Sequence, residues 1–199
     1  LLDREGLLNP PGGSNELDEL GGPDAAGYYY IDSQEDEGPT FDWIDISETG
    51  ESTGTWNNTD ETNGPYAIGF DFPYYGSTYT DVYLCSNGWI SLSTGQGVTW
   101  TNSTLPNGSQ PNNTIAWFWD DLLGNTYEDV YYETVDDSTF VITIVYDDGT
   151  DNFTSQVIFH ESGNIVIQYH EDFTGSFGVN SETVGIENSD GTIGLQVSY

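Results

Sequence analysis

Short runs of alternating apolar and polar residues, separated by clusters of turn-forming residues, fill the chain from Tyr28 onwards. This period of two is typical of β-strands that bury one face. The alternation is strict over Ile193–Tyr199, whereas residues of both parities are apolar over Phe140–Tyr146, which predicts a central strand covered on both faces. The pattern predicts strands over Tyr28–Asp32, Phe41–Ile46, Tyr66–Phe70, Tyr79–Leu84, Trp89–Leu92, Ile115–Trp119, Val130–Tyr132, Phe140–Tyr146, Phe153–Phe159, Ile165–Tyr169, Thr183–Ile186 and Ile193–Tyr199.

No segment has the apolar period of a helix, and about a dozen strands at this spacing predict an all-β fold, an antiparallel β-sandwich. The cluster Pro73–Gly76 predicts a turn between strands, and the Asn87-Gly88 pair predicts a type I′ hairpin turn. Residues Thr94–Asn113 form a polar loop. The aromatic run Trp117–Trp119 is interpreted as sandwich core, with a sugar-binding tryptophan pair as the alternative.

Residues 1–27 differ from the rest of the chain, because they are rich in Gly, Pro and acidic residues and have no sustained period. They predict an extended N-terminal arm in front of a single sandwich domain at residues 28–199. The arm carries the leucines Leu1, Leu2, Leu7, Leu8, Leu17 and Leu20. We expect the arm to lie along an edge strand of another copy, which would join copies into a filament. A flexible linker is the alternative interpretation.

Charge excludes several classes of partner. The 199 residues contain 34 acidic side chains and a single basic one, Arg4, for a net charge of −33. Neither nucleic acid nor an anionic membrane is therefore expected as a partner, since both need cationic surface. The aromatic content of 15% argues against a disordered acidic chain. The lone cysteine, Cys85, is interpreted as a buried side chain in a strand.

The sequence predicts no catalytic residues. No nucleophile, base and orienting group occur together, and the two histidines, His160 and His170, lie at predicted strand ends. A pair of carboxylates at glycosidase spacing would arise by chance among 34 acidic residues. We therefore expect that the protein is not an enzyme.

The acidic loops predict a divalent cation, above all Ca²⁺, as the cofactor. Ca²⁺ takes oxygen ligands from carboxylates and from loops that contain glycine, and a compact particle of this charge repels itself. Solvated acidic turns are the alternative interpretation. The candidate ligands are Asp32, Asp36, Asp120, Asp121, Asp147, Asp148 and Asp151.

Acceptor triplets for N-linked glycans are dense. Five asparagines head an Asn-x-Ser/Thr triplet without proline, and three of them fall in the polar loop. Such density indicates an exported and exposed protein. The candidate glycosylation sites are Asn57, Asn102, Asn107, Asn112 and Asn152.

Five motifs in a fixed order resemble the nidogen-like extracellular β-sandwich, in the form found in secreted peptidases and surface proteins of bacteria and archaea. They are GPYAIGFDFPYYG (64–76), VYLCSNGWIS (82–91), IAWFWDDL (115–122), QVIFHESGNIVIQY (156–169) and TVGIENSDGTIGLQ (183–196). The resemblance covers about residues 27–199. It implies an extracellular or cell-surface location, and modules of this kind are known mainly as accessory or adhesive parts.

Together these features predict an extracellular structural protein, the subunit of a surface fibre or sheath. Its expected partners are copies of itself and, in addition, glycans. The alternative is an adhesive or carbohydrate-binding module of a secreted protein.

Overall fold

The computed structural model describes residues 2–3, 20–122, 127–147, 149, 152–170 and 182–198. Within these ranges the regular secondary structure is entirely β. The strands are β1 (Leu2–Asp3), β2 (Leu20–Gly21), β3 (Tyr30–Ile31), β4 (Glu51–Ser52), β5 (Thr62–Tyr74), β6 (Ser77–Cys85), β7 (Trp89–Ser91), β8 (Thr114–Trp119), β9 (Tyr127–Asp136), β10 (Thr139–Asp147), β11 (Asn152–His160), β12 (Ile165–Tyr169), β13 (Thr183–Glu187) and β14 (Gly194–Ser198). The described ranges contain no helix long and apolar enough to cross a membrane.

Two six-stranded sheets pack face to face. The first has the order β1-β12-β11-β10-β9-β4 and the second β14-β13-β8-β7-β6-β5. Neighbouring strands are antiparallel except for β1, which pairs with β12 in parallel. The all-β fold and the antiparallel β-sandwich predicted from the sequence are confirmed.

The core between the sheets is rich in aromatic rings. Phe72 from one sheet meets Phe159 from the other at 5.0 Å between ring centroids, in an edge-to-face arrangement. Central strand β10 is buried on both faces, as its apolar pattern predicts: Ile142 faces this core, and Val141 joins a smaller cluster outside the sheet. The burial of apolar side chains on both sides of one sheet explains why this segment lacks polar alternation.

The segment Phe41–Ile46 is not a strand, so the sequence prediction is wrong there. Its backbone crosses the outer face of the first sheet and bonds to side chains instead of to another strand. Gln156 receives the Ile44 N–H at 3.3 Å and donates to the Ile44 carbonyl at 2.6 Å. Gln168 does the same for Asp42, at 3.2 and 2.9 Å. Two glutamine amides thus take the place of a neighbouring strand.

The hairpin turns also differ from the prediction at one point. The positive φ angles of a type I′ turn occur at Tyr75 (44°) and Gly76 (75°), between β5 and β6. At the Asn87-Gly88 pair only Gly88 has a positive φ, 76°. Glycine is also needed at this position for packing, because a Cβ on residue 88 would overlap the carbonyl oxygen of Phe118 in β8.

A β-bulge in β8 places its aromatic residues. The Gly88 carbonyl accepts the N–H groups of both Trp117 and Phe118, at 3.2 and 3.0 Å. Trp117 and Phe118 consequently both pack in the main core, and Trp119 packs on the outer face. The interpretation of this run as core is confirmed, and the tryptophans form no exposed sugar-binding pair.

The two long sides of the sandwich are unlike. On one side β5 and β9 approach closely, and the Thr134 hydroxyl donates to the Ile68 carbonyl at 2.8 Å. On the other side, between β12 of one sheet and β14 of the other, the sandwich carries a groove. This groove is a feature of the described surface that could receive another molecule.

Candidate functional site

The groove at the open side of the sandwich has a volume of about 720 Å³ and an aliphatic floor. We call it the open-side groove. The buried residues Ile165 and Ile167 come from β12, and the half-buried residues Ile186, Leu195 and Val197 come from β13 and β14. Aliphatic side chains from both sheets therefore face one cleft, and those of the second sheet are the half-buried ones.

Strand periodicity explains why these side chains meet. Ile165 and Ile167 lie two residues apart on β12, as Leu195 and Val197 do on β14, so each pair shares a face. Ile186 is the register partner of Leu195, which places the two on the same face of the second sheet.

One wall of the groove is a tyrosine-rich segment that is firmly held. The Asp24 carboxylate accepts the N–H groups of Ala26 and Tyr28, both at 2.9 Å, and the hydroxyl of Tyr75 at 2.7 Å. The Tyr28 hydroxyl in turn accepts the Tyr75 N–H at 3.1 Å. Burial raises the pKa of both Tyr28 and Tyr75 above the ordinary value. The Tyr28 and Tyr75 side chains of this wall are thus fixed in place and uncharged at neutral pH.

Acidic groups are scarce in this groove. Among the described residues that line it, Glu37 is the one charged side chain. The polar groups at the rim come from the β11–β12 turn at Ser162–Asn164. In a chain of net charge −33, such a surface is suited to an apolar peptide segment rather than to a cation.

The edge beside the groove is where the N-terminal arm pairs. Leu2 and Asp3 form β1, which runs parallel to β12 with Leu2 opposite Ile167 and Asp3 opposite Gln168. Ile167 also lines the groove. On the other sheet β14 is the edge strand, and it has no outer neighbour in the described part of the chain.

The family model described as NIDO related matches residues 33–199. The chain belongs to the nidogen-related family. No curated protein and no solved structure matches it. The family match confirms the resemblance seen in the five sequence motifs. It covers the sandwich and leaves the N-terminal arm, including β1 and β2, outside the matched range.

The described candidate metal ligands of this nidogen-related chain fall in three separate parts of the fold. Asp32 is buried and accepts the Gln34 N–H at 2.9 Å, and Asp147 is exposed and accepts the Gly149 N–H at 2.7 Å. Asp36 is exposed. Within the described ranges, no three acidic, His or Cys side chains come together in a way that could hold a metal ion. Asp148 and Asp151 lie outside the described residues.

Asp120 and Asp121 are the candidate ligands with the most crowded acidic surroundings. Partial burial raises the pKa of the Asp121 carboxyl, and the nearby charges of Asp60 and Asp120 raise it further. Asp60 is held by the buried Asn87, whose side-chain amide donates to it at 3.0 Å. A cation near these carboxylates would relieve their mutual repulsion.

The candidate glycosylation sites differ in exposure. Asn57 is exposed, and the other four asparagines are half-buried. Three of those four stand in the loop between β7 and β8, where the Asn102 side chain contacts Thr183 at 3.3 Å and that of Asn107 contacts Ser103 at 3.2 Å. The four half-buried candidates are Asn102, Asn107, Asn112 and Asn152.

Sequence reasoning missed one titratable residue. Glu187 stands at the end of β13, is fully buried under the same loop and accepts the Asn107 N–H at 2.7 Å. Burial raises the pKa of its carboxyl to about 7. The alternation of β13 was the available signal, because it places Glu187 on the same outward-facing side of the strand as Gly185. This side is buried only because the loop between β7 and β8 covers it.

The single cysteine and one histidine also occupy shielded positions. Cys85 is buried at the end of β6, as the sequence indicated, and burial raises the pKa of its thiol to about 11. Partial burial lowers the pKa of His160, against the opposing effect of Asp136. His170 packs against the ring of Trp43, with 5.4 Å between ring centroids.

Proposed function

We propose that this nidogen-related protein is an extracellular structural protein, a subunit of a surface fibre or sheath whose copies are joined by strand addition through residues 1–27. The observation that supports this proposal is the pairing of Leu2–Asp3 with β12, which would be the edge strand of its sheet without the arm, beside an apolar groove. In strand addition, backbone hydrogen bonds provide affinity and pockets beside the edge receive side chains.

The chemistry of the arm fits this role. It contributes six of the chain's leucines in its first twenty residues, and aliphatic side chains in water favour an apolar surface. The donor arm and the acceptor edge are different surfaces, so the contact can repeat from copy to copy without closing. Repetition of one heterologous contact produces a filament.

An extracellular location is part of the proposal, and so are glycans and Ca²⁺. Membership of the nidogen-related family and the five acceptor triplets support export and glycosylation. Copies that each carry a charge of −33 repel one another, so divalent cations near Asp60, Asp120 and Asp121 would assist assembly. Nucleic acid and anionic membranes are not proposed as partners, and no catalytic role is proposed.

An adhesive or carbohydrate-binding module is the second candidate. It is favoured by two aromatic side chains that remain exposed, Trp100 at 50% and Tyr29 at 67%. Exposed aromatic rings are suited to stacking against apolar faces of ligands. A protein of this kind would be monomeric and retained on a polysaccharide column, and replacing Trp100 with Ala would abolish retention.

Electron microscopy and removal of residues 1–19 test the fibre proposal. The truncation retains the β2–β3 pairing and the Asp24 contacts to Tyr75, so the sandwich is expected to fold. Full-length protein should form filaments in 0.15 M salt with Ca²⁺, and the truncated protein should stay dispersed. Filaments from both proteins in equal yield would show that the arm is only a flexible tether. Dispersed particles from the full-length protein would contradict the fibre proposal.

A further inference from the structure

We infer that the acceptor for the arm is the β12 edge together with the open-side groove, and that the donor is the Leu2–Asp3 segment of a second copy. This inference rests on the proposed function and names the contact that joins successive subunits. The parallel register, with Leu2 opposite Ile167, would be the same in the filament as in the single chain.

The same contact can be made within one chain or between two. Leu2–Asp3 is separated from β2 by residues 4–19, so its pairing with β12 does not depend on a short connection. An arm from another copy has the same sequence and can occupy the same edge with the same hydrogen bonds. Exchange of an identical element between copies is a low-cost route to assembly.

The length of the connection permits exchange. A fully extended stretch from Asp3 to Leu20 spans about 56 Å at roughly 3.3 Å per residue. A domain of this size has a diameter of about 40 Å, estimated from its expected radius of gyration. An arm anchored at β2 of one copy can therefore reach the β12 edge of an adjacent copy.

The groove supplies what the strand edge alone lacks. A two-residue strand makes few backbone bonds, so its affinity must come mostly from apolar contacts beside it. Ile186, Leu195 and Val197 leave half-buried aliphatic surface in the groove. Leu2 is the arm residue that the register places beside the groove, because it lies opposite the groove residue Ile167.

Engineered cysteines distinguish exchange from docking within one chain. Register partners on adjacent strands lie about 5 Å apart, within the range that a disulfide bridges. Full-length Leu2→Cys and Ile167→Cys proteins, mixed under assembly conditions and then oxidised, should give disulfide-linked dimers on non-reducing denaturing gels. The native Cys85 thiol is buried and should not react.

The matched control is Ser52→Cys, an exposed residue of β4 at the opposite edge of the same sheet. Mixed with Leu2→Cys, it should give at least tenfold fewer dimers than Ile167→Cys gives. Equal yields from both mixtures would overturn the inference. So would filaments of the Leu2→Cys/Ile167→Cys double variant in which every disulfide lies within one chain.

A second measurement uses the unaltered protein, in case Ile167→Cys does not fold. A peptide with the sequence of residues 1–12, added in tenfold excess, should stop filament growth by filling the acceptor. The same peptide with its four leucines replaced by serine should have no effect. If filaments form and the leucine peptide does not affect their growth, the inferred acceptor is wrong. If no filaments form even without peptide, the proposed function itself fails.

Discussion

The indole N–H groups of Trp89 and Trp119 donate to one and the same acceptor, the backbone carbonyl of Thr99, at 3.1 and 3.0 Å. The two tryptophans stand on the neighbouring strands β7 and β8, and Thr99 lies in the polar loop that follows β7. Both indoles belong to the small apolar cluster on the outer face of the second sheet. The loop is thus fastened at one atom to two strands.

Replacing these tryptophans with phenylalanine should give stability losses that are not additive. Each single variant leaves one donor on the Thr99 carbonyl and should lose about 1 kcal/mol for the hydrogen bond, besides any loss of packing. The double variant leaves the carbonyl without either donor and should exceed the sum of the single losses by about 1 kcal/mol. Urea unfolding followed by far-ultraviolet circular dichroism measures all three. Trp100→Phe, at an exposed position of the same loop, is the control, and strictly additive losses would contradict the shared acceptor.

Glu187 should make stability fall as the pH rises towards neutrality. The pKa of its carboxyl is raised from 4.5 to about 7 in the folded protein because the group is buried. Between these values the folded state holds a proton that the unfolded state has released, so the stabilising contribution is complete below about pH 4.5 and lost by about pH 7. Glu187→Gln cannot ionise, and it keeps an acceptor for the Asn107 N–H.

The Glu187→Gln variant should therefore match the natural protein at pH 4 and be more stable at pH 8, by an amount of order 2 kcal/mol. Thermal unfolding of both proteins between pH 4 and pH 8 checks this difference in stability. The matched control is Glu161→Gln, which removes the same charge from an exposed turn between β11 and β12. If the two variants gain equal stability at pH 8, relief of general repulsion would explain the effect and the burial of Glu187 would not.

Chelation should destabilise the protein at low ionic strength. EDTA is expected to lower the thermal midpoint and Ca²⁺ to restore it, because a cation that binds only the folded state stabilises it by mass action. Asp120→Asn/Asp121→Asn should reduce the Ca²⁺ response more than Asp71→Asn, at an exposed position of β5, reduces it. Restoration by NaCl alone at the same ionic strength would assign the effect to screening and leave no role for a bound ion.

The protein should carry N-linked glycans. Enzymatic removal of N-glycans from the protein purified from its source is expected to lower its intact mass by several sugar units. Peptides from the loop Thr94–Asn113 should be among the modified ones, and Asn57→Gln should remove one glycan because this site is exposed. A mass that the deglycosylating enzyme leaves unchanged would remove the proposal.

The strands from β5 to β14 could be predicted from the sequence, because alternation reports burial on a pleated sheet directly. Phe140–Tyr146 and Ile165–Tyr169 fall within or on observed strands for this reason. Phe41–Ile46 misled the prediction because its residues alternate as those of a strand do, while its partners are the side chains of Gln156 and Gln168. The local sequence does not determine which group accepts a backbone N–H.

The candidate site was harder to predict. The arm and its leucines were visible in the sequence, but the open-side groove depends on the distance between two sheets, and its strands β12 and β14 are far apart along the chain. The burial of Glu187 depends in the same way on where a distant loop comes to rest. Long-range packing of this kind produces no periodic pattern in the sequence.

The glutamine-bonded segment Phe41–Ile46 has a consequence for the shape that an assembly could take. It covers the outer face of one sheet, and the loop fastened by Trp89 and Trp119 covers the outer face of the other. Bare sheet faces are what allow fibrils to laminate through dry, interdigitated layers. With both faces partly covered, subunits joined along the β12 side of the sandwich would not stack face to face, and a thread one subunit wide would result instead of a thickening ribbon.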